Sequence, residues 1–161
     1  MKPAGLDTES YKALARRWAA TVTVVTVRRK GGALDGFTCT AFTPVSMDPP
    51  LILVSATNTS SAMPMMADAE AFAVNLLSPA QEGLGTLFSM PHGQRGDFWA
   101  QVPHALDAWG VPLLLGAAGA FSARVNQLIP AGDHTLVLGA VKELRALGRW
   151  DEVVAMTGAW G

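Results

Sequence analysis

Seven consecutive β-branched residues, Thr21 to Val27, constrain the fold of this chain more than any other segment. Branching at Cβ restricts side-chain rotation in a helix and suits the pleated surface of a sheet, so this run predicts a strand. The turn signals Gly31-Gly32 and Asp35-Gly36 follow it. They predict a hairpin that leads into a second strand near residues 37–44.

The rest of the chain alternates further strand-length segments with short helices. Apolar runs predict strands at Leu51–Ser55, Phe72–Leu77, Leu113–Leu115, Ala117–Ile129 and Thr135–Ala146. Capping and spacing predict helices at Thr8–Ala19, Ser60–Met66 and Pro79–Phe88, the first of them lying across a sheet. Six or seven strands with short covering helices indicate a mainly β domain, and we expect a small barrel because closure removes exposed edges.

Charge is scarce in the 161 residues, of which 50% are hydrophobic and only 16% charged. An ordinary soluble domain is about a quarter charged, so we expect one domain over residues 1–161 whose surplus apolar surface forms either a partner surface or a homodimer interface. Twelve Lys and Arg balance thirteen Asp and Glu without a basic stripe, which argues against nucleic-acid binding. Apolar runs fall short of a bilayer span and no signal-like segment opens the chain, so a cytoplasmic protein without a membrane partner is expected.

Two segments are dense in small polar residues. Gly36-Phe37-Thr38-Cys39-Thr40-Ala41-Phe42 offers backbone N–H groups and hydroxyls that hold a phosphate or a polar ring edge without formal charge, unless it is simply a Thr-rich edge strand. In Ser55-Ala56-Thr57-Asn58-Thr59-Ser60-Ser61, six of seven residues are polar at the start of a predicted helix. Such a segment suits an anion, and the alternative is an ordinary cap and loop.

Gly132-Asp133-His134-Thr135 is the third candidate cluster. Either Gly132-Asp133 forms a hairpin turn with an exposed histidine, or His134 projects into a cleft and binds a heteroaromatic ligand; spacing alone does not decide. The lone Cys39 has no Cys-His signature around it, and the three histidines lack metal-ligand spacing, so no metal site is expected. The aperiodic stretch from Met90 to Trp109 predicts a functional or mobile loop.

Taken in order along the chain, these segments resemble the flavin reductase-like family with the FMN-binding split-barrel fold. The resemblance rests on four segments: the 36–42 cluster, then Val45-Ser46-Met47-Asp48-Pro49-Pro50-Leu51, then Phe72-Ala73-Val74-Asn75-Leu76-Leu77, and Gly132-Asp133-His134-Thr135. It covers nearly the whole chain. Thr40 stands where many members of that family have Asn.

The resemblance implies that this chain binds FMN, or FAD, largely through its main chain. The residues it assigns to the flavin are Gly36, Phe37, Thr38, Cys39, Thr40, Ser55, Ala56, Thr57, Asn58, Ser60, Ser61 and, as an aromatic beside the ring, Phe88. His134 falls on the position associated with the nicotinamide cofactor, NADH or NADPH, and is expected to orient it. The family is typically homodimeric.

The implied reaction is hydride transfer from nicotinamide C4 to flavin N5, which supplies reduced flavin to a partner monooxygenase. A flavoprotein of the same fold that holds FMN for electron transfer or storage, without reductase turnover, is the first alternative. A barrel-shaped dimer that binds another small ligand and no flavin is the second.

Overall fold

The computed structural model describes residues 5–146 and 155–156. In chain order its helices and strands are α1 (Thr8–Ala15), β1 (Ala20–Thr21), β2 (Thr23–Arg28), β3 (Leu34–Cys39), β4 (Phe42–Met47), β5 (Pro50–Thr57), α2 (Ala62–Asp68), β6 (Ala71–Leu76), α3 (Glu82–Ser89), β7 (His104–Leu106), β8 (Pro112–Leu114), β9 (Gly119–Ala131), β10 (His134–Ala146) and β11 (Ala155–Met156). Single 3₁₀ turns occupy Pro79–Gln81, His92–Gln94 and Trp99–Gln101. The expectation of a mainly β chain with short helices is confirmed. Of the described helices, none has the length and apolar character needed to span a bilayer.

Seven of the strands form one antiparallel sheet in the order β3-β2-β6-β9-β10-β5-β4. The β-branched run supplies β2, one strand in from an edge, and Val24, Val25 and Val27 have no exposed surface. β3 and β4 are the two edges, so the sheet is not closed into the expected barrel. The short pairs β1-β11 and β7-β8 form separate two-stranded sheets.

The main hydrophobic core lies between the inner face of the large sheet and α2. Inward side chains of β2, β3, β5 and β6 surround Met65 and Met66 of α2, which are each only 1% exposed. α2 contacts both β3 and β5. The helix therefore covers the space between two strands that are not hydrogen-bonded to each other.

The opposite face of β2 packs against α3 and the segment that follows it. Phe88 of α3 is fully buried and meets Phe98 edge to face, with ring centroids 5.2 Å apart. The Arg95 guanidinium donates to the carbonyl oxygens of Gly36 (2.6 Å), Phe88 (2.9 Å) and Met90 (2.7 Å). Burial lowers the pKa of Arg95, and the nearby Asp35 carboxylate opposes that shift. The first part of the aperiodic stretch from residue 90 to residue 109 is thus packed against α3 and β3.

The structure corrects two local predictions. Asp35-Gly36 is not a turn but lies inside β3, and the chain reverses at Gly31 and Gly32, where both φ angles are +91°. Asp35 is buried near Arg29 and Arg95, which satisfies its charge within a strand.

The first helix also differs from the prediction. α1 ends at Ala15 and buries none of its residues, so it does not lie across the sheet. Its apolar residues Tyr11 and Leu14 are exposed, as is Trp18 beyond its end.

Gly139 on β10 is a position where side-chain volume decides stability. A Cβ there would lie 2.6 Å from the Phe72 ring and 2.9 Å from Ala123 Cβ, while a Cβ at Gly83 in α3 would meet nothing within 4 Å. We expect Gly139→Ala to lower the free energy of unfolding by about 1–3 kcal/mol through overpacking. Gly83→Ala, the matched control, should raise it by about 0.5–1 kcal/mol because alanine favours a helix. Urea unfolding measures both, and equal effects would contradict the packing described.

Candidate functional site

Strand pairing brings the three polar clusters together at one end of the large sheet. β10 pairs with β5 so that His134 lies opposite Thr57 and Thr135 lies opposite Ala56. The Ser55 N–H donates to the Ala41 carbonyl at 2.9 Å, which joins the β3–β4 corner to the same end of β5. The candidate site is therefore made of residues from three distant parts of the sequence.

At the β3–β4 corner, the side chains of Phe37 and Cys39 point into the core, and only their backbone remains for a ligand. Burial raises the pKa of the Cys39 thiol to about 11, so the thiol is protonated at neutral pH and unsuited to act as a nucleophile. The Thr38 hydroxyl donates to the Gly85 carbonyl in α3 at 2.6 Å. These contacts fix the path of the main chain at the corner.

Thr40 carries the one unexplained polar group at this corner. Its hydroxyl oxygen is buried and has no hydrogen-bond partner among the described residues. A buried hydroxyl without a partner costs about 1–3 kcal/mol. A ligand with a polar edge at this corner would satisfy the hydroxyl, so the Thr40 hydroxyl fits the flavin ring edge that the resemblance implies here.

The second cluster spans the end of β5 and the turn that follows it, and its residues have two roles. Ala56 is packed in the core, and Ser60 donates through both its backbone N–H (3.0 Å) and its hydroxyl (2.8 Å) to the Thr57 carbonyl. The Asn58 backbone N–H donates to the Asp133 carbonyl at 2.9 Å. Ser61 is exposed, and its hydroxyl makes no capping bond to α2. Some polar groups of the cluster thus form the hydrogen bonds of the turn, and the others remain accessible to a ligand.

In the third cluster, the predicted hairpin turn is present, and the binding of a ligand by His134 stays a prediction. Gly132 (φ +66°) and Asp133 form the two-residue turn between β9 and β10. His134 Nδ1 lies 2.7 Å from Asp133 Oδ1, and its Nε2 lies 3.2 Å from the Thr57 hydroxyl. The bond from His134, then its charge, lowers the pKa of Asp133, which stays ionised. The imidazole is thus held at the site with 41% of its side chain exposed.

Phe88 and Gly36 lie behind the site. A Cβ at Gly36 would be 2.7 Å from the Val25 carbonyl oxygen and 3.0 Å from the Phe88 ring, so only glycine allows this contact. The Phe88 ring is fully buried and offers no surface to a ligand. The ring supports β3 from behind, and the assignment of Phe88 to the flavin, which the resemblance implies, stays a prediction.

Two supporting residues carry no recognisable signal in the sequence: Arg95, which holds the Gly36 carbonyl, and Gly85, which accepts from Thr38. A single Arg in an aperiodic segment carries no signal of its role in the sequence. Among residues 5–146 and 155–156, no three His, Cys, Asp or Glu side chains come together as a metal site would require.

Comparison with known proteins gives the family. The family model of the flavin reductase like domain matches residues 15–152. An NADH:FMN oxidoreductase of Rhodococcus qingshengii is 39% identical over 145 residues, which are 88% of this chain and 72% of that protein.

Solved structures agree with this match. The NADH:FAD oxidoreductase SgcE6 of Streptomyces globisporus C-1027 has a TM-score of 0.79 at 29% identity, covering 99% of this chain and 91% of that one. Nitrilotriacetate monooxygenase component B of Mycobacterium thermoresistibile has a TM-score of 0.85 at 25% identity, covering 96% and 84%. With the fold, the convergent clusters and the match over residues 15–152 in agreement, this chain belongs to the flavin reductase-like family.

Proposed function

We propose that this chain is an NAD(P)H-dependent flavin reductase that uses FMN and supplies reduced flavin to a partner monooxygenase. The family match over residues 15–152 carries the proposal, because it spans all three clusters that converge at the site. The similar R. qingshengii protein is an NADH:FMN oxidoreductase, and the similar M. thermoresistibile protein is a monooxygenase component. Both names agree with a reductase that works with an oxygenase.

The site suits a flavin held mainly by the main chain. Phe37, Cys39 and Ala56 turn their side chains into the core, so any flavin contact of these three residues is assigned to their main chain. The remaining flavin contacts are assigned to the main chain of Gly36 and Thr38 and to the polar side chains of Thr40, Ser55, Thr57, Asn58, Ser60 and Ser61. A site of hydroxyls, amides and backbone groups binds a ring edge and a ribityl chain without a formal charge.

When bound, the nicotinamide would supply the hydride and the flavin would accept it, so the reactivity belongs to the cofactors. The chain has to position the rings and exclude water. His134 stands at the rim of the site with its ring nitrogens already bonded to Asp133 and Thr57. It is therefore suited to orient NAD(P)H, and no proton transfer by a side chain is required.

A second copy of the chain is proposed to cover the outward face of β5 and β10. Because successive side chains of a strand point to opposite faces of the sheet, Leu51 and Leu53 of β5 lie on this face. They pair with Ala140 and Leu138 of β10. These side chains are only partly buried. Residues 50–66 and 134–141 contain no Asp, Glu, Lys or Arg, whereas a sheet face open to water normally carries polar residues.

This face is continuous with the candidate site. Ser55 and Thr57 follow Leu53 at alternate positions of β5, and His134 lies opposite Thr57. A partner subunit on the face would therefore border the flavin pocket and complete it. We further propose that the curved sheet with α2 between β3 and β5 is the single split-barrel domain of a cytoplasmic homodimer.

Purified protein should oxidise NADH or NADPH only when flavin is added. Steady-state absorbance assays with FMN and with FAD, and with each nucleotide, measure this dependence and rank the four combinations. Flavin binding without turnover with either nucleotide would favour the alternative of an electron-transfer or storage protein. Failure to bind any flavin would overturn both.

We expect His134→Ala to raise the KM for NAD(P)H about ten-fold, because the ring that orients the nucleotide is lost. The Kd for FMN at neutral pH should change by less than about three-fold, as expected for one peripheral hydrogen bond. Tyr11→Ala is the control, because it removes an exposed ring on α1, outside the site. A collapse of FMN affinity with unchanged nucleotide kinetics would show that the assignment of His134 is wrong.

The wild-type chain should sediment as a dimer and Leu53→Arg as a monomer, because the substitution buries an unpaired charge in the apolar face. Leu106→Arg on β7, where Leu106 is 51% exposed on a separate sheet, is the matched control and should remain dimeric. Sedimentation velocity distinguishes the species. A monomeric wild type would contradict the proposed interface.

A further inference from the structure

Asp133, His134 and Thr57 form a continuous line of hydrogen bonds where β5 ends and β10 begins. Asp133 Oδ1 is 2.7 Å from His134 Nδ1, and His134 Nε2 is 3.2 Å from Thr57 Oγ1. An ionised carboxylate only accepts hydrogen bonds, so Nδ1 carries the proton. In the neutral ring Nε2 is then an acceptor, and the Thr57 hydroxyl donates to it.

The single hydroxyl proton makes Thr57 sensitive to the charge of the ring. When the imidazole is neutral, that proton is committed to Nε2, and Thr57 Oγ1 can only accept a further hydrogen bond. When the imidazole is cationic, Nε2 becomes a donor to Thr57 Oγ1. The hydroxyl proton is then free to be donated to another group.

Thr57 also belongs to the segment assigned to the flavin. Its carbonyl accepts both hydrogen bonds from Ser60, so its backbone is fixed within the turn that precedes α2. A change at the Thr57 hydroxyl is therefore a change in the wall of the site.

We propose that Asp133, His134 and Thr57 act as a relay that conveys the protonation state of His134 to the flavin site through the hydrogen-bonding direction of the Thr57 hydroxyl. The inference rests on the proposed function, since the flavin is the ligand that responds. Asp133 and His134 are positioning residues for this effect, and Thr57 is the contact. The carbonyl oxygens and unprotonated nitrogens of a flavin edge are acceptors, so binding strengthens when Thr57 becomes a donor.

Among the residues that the structure describes, few other groups near the ring can titrate. The Asp133 carboxylate is the charged group in contact with the imidazole, and the Asp133 side chain is 89% exposed to water. The adjoining ends of β5 (residues 55–57) and β9 (residues 129–131), and residues 58–61 of the following turn, contain no titratable side chain. A pH effect of the relay is thus attributable to His134.

The test measures flavin binding directly by quenching of flavin fluorescence between about pH 5 and about pH 8.5, where an imidazole titrates. Riboflavin is the probe, because the phosphate of FMN titrates near pH 6 and would obscure the effect. We expect the wild-type Kd for riboflavin to fall about three- to ten-fold towards low pH, the value of one hydrogen bond.

Four variants separate the relay from a structural role. Thr57→Val should bind riboflavin with a pH-independent Kd, and Thr57→Ser, which keeps the hydroxyl, should restore the dependence. Asp133→Asn should weaken the pH dependence, because an amide group can donate as well as accept and no longer fixes the proton on Nδ1. Thr86→Val, the same change on the exposed face of α3, should behave as the wild type.

The outcomes distinguish this inference from the proposed function. A pH-independent wild-type Kd, or a Thr57→Val variant with undiminished pH dependence, would overturn the relay while leaving flavin binding intact. If the wild type bound neither riboflavin nor FMN at any pH, the proposed function would fail together with the relay. A flat profile in Thr57→Ser would show that the methyl group, and not the hydroxyl, matters.

Discussion

The antiparallel register between β5 and β10 is the constraint on which the candidate site depends. It runs from the pair Leu51–Ala140 to the pair Thr57–His134, and side chains on each strand alternate between the two faces. A slip of one residue would turn His134 towards the core and place Val137 on the open face. The buried positions of Val54 and Val137, which form one pair and have no exposed surface, prevent that slip. The packing of the core therefore fixes the geometry of the site.

Buried polar contacts behind β3 hold the other side of the site. Arg95 donates to three carbonyl oxygens and lies 3.7 Å from Asp35, so its charge is satisfied although it is buried. Its bond to the Gly36 carbonyl and the bond from Thr38 to Gly85 anchor the strand that leads to the corner. These residues lie behind β3, and they determine where the backbone of the corner lies. A site that recognises a flavin through main-chain groups requires support of this kind.

Local patterns in the sequence predicted the strands well and the connections less well. The β-branched run and the apolar runs became β2, β5 and β6, because a buried strand depends mainly on its own side chains. Asp35-Gly36 has the composition of a turn, yet it lies inside β3. Two distant features account for this: Asp35 is held by Arg29 and Arg95, and only glycine permits the contact with Phe88. The first helix has apolar residues at helical spacing, but no element of the described chain buries them.

By itself the sequence determined the strand-rich character of the chain, its short helices, its scarcity of charge and the four segments that mark its family. Those properties depend on residue type and on neighbours a few positions away. Only the tertiary structure decided which polar groups remain for a ligand, that Phe88 is buried, and that His134 is bonded on both ring nitrogens. Thr57 and His134 are 77 positions apart, and their hydrogen bond exists because β5 and β10 pair in one register. Such contacts depend on how distant strands pack together, and no local spacing in the sequence encodes that arrangement.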